Sequence, residues 1–229
     1  MKPLYMPTGK AKEYGEYAVN IYTGCPHRCY YCFAPSVLRR EREEFHSHVA
    51  PRPGIVEALK KQLAQEKITN KIIHLCFTCD PYPSGYDTST TREIITAIKN
   101  SGNHVQILTK GIGSRDFDLL DENDWFGLTY DGGFRVGGFV PALHMPQLDM
   151  AHGKGIKTWI SFEPVLNEEA VLGAIEKWAS VVDKVKIGKL NYHPSNINWK
   201  RFGAEAEALC REMGIDYYIK DSLRSEMED

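Results

Sequence analysis

The chain has 229 residues, 42% of them hydrophobic and 25% charged, and its 28 basic and 30 acidic side chains leave a net charge of −2. That balance excludes a protein held to a phosphate backbone mainly by bulk charge, while leaving room for a local basic groove. No apolar run approaches the roughly 20 residues that a membrane-spanning helix requires.

The opening "MKPLYMPTGKAKEYGEYA" lacks the apolar stretch of a secretion signal. The expected setting is therefore cytoplasmic, with the six cysteines as reduced thiols or metal ligands rather than a disulfide framework. Without linkers, internal repeats or low-complexity tracts, residues 1–229 read as one domain, and the acidic end "SEMED" as a solvated tail.

Short apolar runs alternate with amphipathic ones along the chain, the pattern of parallel βα units. "YAVNIYTGC" reads as the first strand, running into a cysteine loop, and "RREREEFHSH" as a charged connection. In "PRPGIVEALKKQLAQE" the residues Ile55, Val56, Leu59 and Leu63 recur at helical spacing. "KIIHLCFTCD" is the second expected strand, "TSTTREIITAIKNSG" a capped helix and "HVQILTKG" the third strand. A shorter helix in "SRDFDLLDEND" leads to the fourth strand, "WFGLTYD", while the glycine-rich "GGFRVGGFVP" has no clear assignment. "IKTWISFEPVL" and "VDKVKIGKLNY" give strands five and six, each followed by a helix, and "IDYYIKDSL" is a seventh strand or a terminal segment.

Six such repeats plus a remnant indicate an α/β fold, a partial (β/α)6 TIM-like barrel. In barrels of this kind the active site lies at the C-terminal ends of the strands. Asp80, Lys110, Thr129, Asp131, Glu163, Lys189 and Asn191 all fall at or near such ends.

The loop after the first strand reads "YTGCPHRCYYCFA" and holds Cys25, Cys29 and Cys32. A structural zinc site takes four ligands, and no histidine completes this run at finger spacing, so His27 adds only polarity. Three thiolates can instead hold three irons of a [4Fe–4S] cluster, leaving the fourth iron for a small molecule's amino and carboxylate groups. A zinc site built from Cys29, Cys32, Cys76 and Cys79 is the plainer alternative. Against it, Cys76 and Cys79 fall in an expected strand, where residues three apart point to opposite faces. Cys210 sits on an apolar helix face and reads as a core thiol.

The spacing Cys25-x3-Cys29-x2-Cys32, with the aromatic Tyr31 before the last thiol, resembles the signature of the radical S-adenosylmethionine (SAM) superfamily, and the barrel becomes one of the radical SAM type. The blocks "FTCDPY", "ILTKG", "ISFEPVL" and "KIGKLNY" further resemble the spore photoproduct lyase branch and its short relatives. That resemblance implies a [4Fe–4S] cluster and SAM as cofactors. The cluster's electron would cleave the sulfonium to give a 5′-deoxyadenosyl radical, which takes a hydrogen from substrate.

It also implies that Tyr31 approaches the adenine, that Lys110 meets the methionyl carboxylate, and that Thr129 assists it. Asp80 and Glu163, each followed by proline, are further candidates for holding SAM or substrate. An external donor of flavodoxin or ferredoxin type and an unknown substrate, nucleotides and nucleic acids included, are the implied partners.

Two departures stand out. Where photoproduct-cleaving members carry a hydrogen-donor cysteine this chain has Phe77, leaving Cys76 and Cys79 as candidate donors, and no extra segment suits gripping a duplex. Tyr82, Tyr86, Tyr130, Trp159, Tyr192 and Tyr217 could stack a base or guard a radical, with core packing as their ordinary role. Tyr82 and Tyr86, in "DPYPSGYD", are the pair best placed for a base. The residues alone leave a second reading open: a non-enzymatic iron–sulfur or zinc protein acting in binding, electron transfer or redox sensing.

Overall fold

The computed structural model describes residues 2–132 and 143–228, so most of "GGFRVGGFVP" lies outside the described residues. Among those described, eight strands make one sheet in sequence order: β1 (Leu4–Tyr5), β2 (Tyr17–Val19), β3 (Ile72–Leu75), β4 (His104–Thr109), β5 (Trp125–Thr129), β6 (Lys157–Phe162), β7 (Lys184–Ile187) and β8 (Asp216–Ile219). β1 runs antiparallel to β2, and β2 through β8 are parallel neighbours. The helices are α1 (Ala34–Leu38), α2 (Arg42–Ser47), α3 (Ile55–Glu66), α4 (Ser89–Asn100), α5 (Pro146–His152), α6 (Glu168–Trp178), α7 (Trp199–Met213) and α8 (Asp221–Glu228).

This is the open α/β barrel expected from the alternation, with differences at its ends. The remnant "IDYYIKDSL" supplies a full seventh parallel strand, β8, and the start of α8. The charged connection after the cysteines contains α2, and "SRDFDLLDEND" forms a 3-10 turn at Ser114–Leu119 rather than an α-helix. β3 also stops at Leu75, because Cys76 adopts a left-handed φ of 69° that no strand continues through. The expectation of opposite faces for Cys76 and Cys79 therefore fails: they lie in a turn.

One core joins helices and sheet. α3 buries Ile55, Leu59 and Leu63, and α4 buries Ile94, Ile95 and Ile98. These pack with Ile73, Val105 and Ile107 from the strands, while Val56 is half-buried at the edge and Cys210 is buried on α7. Asn167 and Asn198 cap α6 and α7 by accepting the N–H groups of Ala170 and Arg201, both at 3.0 Å.

The other face of the sheet is polar. His74 pairs in register with Gln106, and Ser161 with Lys186. Tyr14, just after a 3-10 turn at Gly9–Glu13, reaches into this space and donates its hydroxyl to Glu163 at 2.5 Å, with Ser161 at 3.1 Å. Lys220 donates to the same Glu163 oxygen at 2.6 Å, and Lys186 donates to the Glu13 carbonyl at 2.5 Å. Gln106 donates to the Tyr14 carbonyl and to His74 Nδ1, both at 2.9 Å.

Burial, reinforced by the Lys186 charge, pushes His74 down to about 3, so its imidazole is neutral and its Nδ1 can accept. Unfolded, His74 binds a proton below about pH 6.5; folded, it resists protonation until about 3. Its contribution is therefore present above pH 6.5 and lost as the medium is acidified. His74→Gln should flatten the stability–pH curve between about pH 6 and 4, where wild type loses up to about 1.4 kcal/mol per pH unit from this group. Urea unfolding at stepped pH checks this, and parallel curves for the two proteins would contradict it.

Candidate cluster and cofactor site

The cysteine loop is shaped by its backbone partners. Gly24 packs so closely that a Cβ there would run into the carbonyl oxygens of Phe45 and His48. The Cys25 N–H donates to Phe45 O at 3.3 Å, and His46 Nδ1 bonds the Cys25 carbonyl at 2.7 Å. Arg42 reaches across from α2 and donates to the carbonyls of Cys29, Tyr30 (2.9 Å) and Cys32 (3.3 Å). Arg40 does the same for Thr23 at 2.5 Å. The stretch that read as a mere connection thus clamps the loop through charge-assisted bonds. Sequence reading missed these residues because their bonds go to carbonyl oxygens, which no side-chain motif encodes.

Cys29 is buried, while Cys25 and Cys32 are half-buried. Among the described residues, one group of three or more His, Cys, Asp or Glu ligand atoms lies within 4.8 Å of one another: His104, Asp121 and Asp124. The ammonium of Lys99 already bridges Asp121 and Asp124, at 2.6 and 2.5 Å. No three cysteine sulfurs come that close, whereas one tetrahedral zinc at about 2.3 Å holds its sulfurs about 3.8 Å apart. Three thiols on one loop are donors of the kind that iron–sulfur clusters take.

Beside Cys29 the structure brings together Tyr31, Lys110 and Asp131. The Tyr31 hydroxyl donates to Asp131 Oδ2 at 2.6 Å, Lys110 Nζ lies 3.8 Å from the same oxygen, and it stands 5.6 Å from the centre of the Tyr31 ring. Burial, then Cys29 and Asp131, raise Tyr31 far above the ordinary phenol range, so its hydroxyl stays a donor. Asp131 is fully buried, and its Oδ1 has no hydrogen-bond partner among the described residues. A buried acceptor left unmet costs about 1–3 kcal/mol, which a ligand's hydroxyl or amino group would offset. Thr129, two residues earlier on β5, is half-buried at the strand end. The residues present fit a cluster beside SAM.

Asp80 is occupied otherwise. Its Oδ1 accepts the Tyr82 N–H (2.8 Å) and the Thr109 hydroxyl (2.5 Å), and its Oδ2 the Lys110 N–H at 2.8 Å, with His27 Nδ1 at 3.4 Å. Burial pushes its carboxyl up, but the His27 ring and these donors outweigh it and hold the pKa below the ordinary carboxylate value. His27, read from sequence as mere polarity, is buried and binds the loop to Asp80.

Glu163 belongs to the Tyr14–Lys220 group inside the barrel. Lys189 pairs with Glu226, and Asn191 accepts from Lys10 at 2.7 Å. The Tyr82 ring is enclosed, with its hydroxyl donating to Asp116 at 3.1 Å. Trp159 is enclosed as well and donates to Ile107 O at 2.9 Å. Tyr86 and Tyr192 are exposed, Tyr130 is half-buried, and Tyr217 bonds Glu207 and Arg211. Cys76 is buried and Cys79 half-buried, with the Tyr22 N–H donating to Cys79 Sγ at 3.4 Å.

The cysteine loop follows β2, the first of the parallel strands of the open barrel, and Lys110 follows directly on the end of β4. The radical SAM superfamily model matches residues 19–177, and the chain belongs to that superfamily. The family implies an iron–sulfur cluster and SAM, together with a reductant and a substrate. The chain is similar to uncharacterized proteins of Mycobacterium bovis and Mycobacterium tuberculosis, 30% identical over 112 residues, or 46% of this chain. That match spans only 33% of those relatives' length.

In fold the chain is similar to a spore photoproduct lyase mutant, with TM-score 0.72, 13% identity, and coverage of 94% of this chain and 79% of that one. A second lyase mutant, with bound AdoMet and dinucleoside spore photoproduct, gives TM-score 0.70 at 13% identity, over 93% and 78% of the two chains. Among the described residues no helix is long and apolar enough to cross a membrane.

Asp80→Ala leaves the Lys110 and Tyr82 N–H groups and the Thr109 hydroxyl without their acceptor. It should cost about 2–4 kcal/mol in urea unfolding and lower the iron bound per chain after anaerobic reconstitution. Wild-type stability together with wild-type iron content would show that Asp80 braces nothing.

Proposed function

We propose that Cys25, Cys29 and Cys32 hold a [4Fe–4S] cluster, and that the chain uses it with SAM to start radical chemistry on a nucleotide or nucleic-acid substrate. When bound, the cluster supplies the electron that splits SAM into methionine and a 5′-deoxyadenosyl radical, which takes hydrogen from the substrate. The observation that carries the reading is the buried set of Tyr31, Lys110 and Asp131 beside Cys29.

In that set the Lys110 ammonium meets the methionyl carboxylate, and burial strengthens the contact. The unmet Oδ1 of Asp131 accepts a hydroxyl or amino proton of the cofactor. Tyr31 offers a ring face beside it, and Thr129 adds a hydroxyl from the next strand end. Asp80 acts at one remove: it fixes the Lys110 backbone and, through His27, the loop. Cys76, Cys79 and Tyr82 take no part in hydrogen transfer in this scheme, because Cys76 is buried, Cys79 accepts the Tyr22 N–H and the Tyr82 ring is enclosed. The nucleotide part of the reading is supported by likeness of fold to a lyase whose structure is described with bound dinucleoside spore photoproduct.

Reconstituted wild type, given SAM and dithionite without oxygen, should release 5′-deoxyadenosine, and Cys29→Ala should release none. Lys110→Met should keep its cluster but bind SAM about tenfold more weakly, a loss of about 1.4 kcal/mol, read from the cluster's spectral response to SAM. An unaltered SAM titration in Lys110→Met would remove the lysine from the site. Deuterium transfer from labelled oligonucleotides into 5′-deoxyadenosine tests the substrate class, and its absence alongside uncoupled SAM cleavage would rule nucleic acid out.

A further inference from the structure

The mouth of the barrel carries aromatic rings that neither the core nor the cofactor site explains. Tyr192, in the loop between β7 and α7, is 90% exposed, and its φ of 65° is left-handed. A bulky residue in that conformation is strained, and here it recovers nothing through burial. Such strain concentrates where function needs it. Lys10 stands beside the ring: its ammonium donates to Asn191 Oδ1 at 2.7 Å and lies 5.4 Å from the centre of the Tyr192 ring. Asn191 in turn donates to the Lys189 carbonyl at 3.0 Å, which fixes the amide that receives the lysine.

From the next residue a row of rings runs inward. The His193 ring lies 5.4 Å from that of Tyr30, edge to face at 78°, and Tyr30 lies 5.2 Å from Tyr31 at 76°. Tyr30 is exposed, whereas Tyr31 donates to Asp131 beside Cys29. Rings from two loops, one after β2 and one after β7, thus lead from the cofactor site to the surface. An edge-to-face contact covers at most one face of each ring, so faces remain for a ligand.

We propose that Tyr192, His193 and Tyr30, with Lys10, form an outer binding site for single-stranded nucleic acid and hold a nucleotide that flanks the reacting one. Resting on the nucleotide reading, the site adds which residues grip the strand and in what form it arrives. A base lays its flat face on the Tyr192 ring, and the adjoining phosphate meets the Lys10 ammonium, which has N–H donors beyond the one given to Asn191. In a duplex that face is covered by stacked neighbours, so Tyr192 can use only an unstacked base. The net charge of −2 gives the chain no bulk attraction for a phosphate backbone, and affinity must come from local contacts of this kind.

Cluster-loaded protein with SAM, kept without oxygen, is titrated against a fluorescein-labelled oligothymidylate and against the same strand annealed to its complement. Anisotropy is read over a range of salt concentrations, and the iron content of each variant is measured so that weak binding is not read from unloaded protein. Wild type should bind the single strand more tightly than the duplex. Tyr192→Ala should weaken single-strand binding about tenfold, the loss of one base–aromatic stack, and Tyr192→Phe, which keeps the ring, should restore it. Lys10→Gln should lower the slope of log affinity against log salt by about 0.7, the loss of one phosphate contact. Unchanged affinity in Tyr192→Ala, an unaltered salt slope in Lys10→Gln, or equal affinity for the duplex would overturn this site and leave the nucleotide reading standing. No binding of either form by wild type would overturn both.

Discussion

The site depends first on one carboxylate, that of Asp80. It lies where β3 has just ended, and it receives donors from β4 and from the cysteine loop at once. A single side chain thus sets the distance between the loop that carries the thiols and the strand that carries Lys110. Asp80 can do this because it is buried and still ionised, a state its donors must maintain against the cost of burial. Removing one donor weakens the case for the charge, and losing the charge frees the remaining donors, so the joint is cooperative rather than additive. A carboxylate spent in this way has no lone pair to give a cofactor, which leaves Asp131, with its open Oδ1, as the acid that can.

The barrel is open, and something must fill the seam between β8 and the first strands. The chain's own N-terminal segment does so. Lys10 reaches Asn191, the Glu13 carboxylate receives the N–H of Asp221, and Tyr14 enters the polar interior. Two lysines face two glutamates around this tyrosine, so the charges balance locally without solvent. Lys186 stands 4.6 Å and Lys220 4.3 Å from the centre of the Tyr14 ring. Such buried pairs add little net stability over apolar packing. What they provide is position, because Lys186 lies within β7 while Glu163 and Lys220 follow directly on β6 and β8, so the three come from different strands and can be satisfied only in one arrangement.

Much of this was legible in the sequence where the signal was local. The short apolar runs gave the strands, the helical spacing of Ile55, Leu59 and Leu63 gave a buried face, and the spacing of the three cysteines with Tyr31 pointed to the family. Legibility failed where a role depends on long-range partners. Glu163 and Asp80 both precede proline at strand ends and read alike, yet one is tied to Tyr14 and Lys220 and the other to Thr109, Lys110 and His27. Tyr82 looked available to stack a base, but its side chain is buried, with Gly113 close against the ring and Gly111 against its backbone carbonyl. Tyr14, Arg42 and His46 carried no motif at all, since their partners are backbone carbonyls or residues more than a hundred positions away.

The six cysteines show how far environment, rather than residue type, decides chemistry. Cys210 is enclosed by an apolar helix face, where burial, and then the charge of Glu207, raise its thiol to about 11. Cys25, Cys29 and Cys32 lie on a loop whose carbonyls are held by Arg40, Arg42 and His46, so the sulfurs are left facing inward toward the Lys110 side of the barrel. That arrangement suits a group carrying its own positive iron. Cys76 and Cys79 differ: the Tyr22 N–H meets Cys79 Sγ at 3.4 Å, and Cys76 is buried at the left-handed turn that ends β3. The same spacing of two residues thus recurs in two surroundings, Cys29 and Cys32 beside Arg42, which holds their carbonyls, and Cys76 and Cys79 beside the Tyr22 N–H.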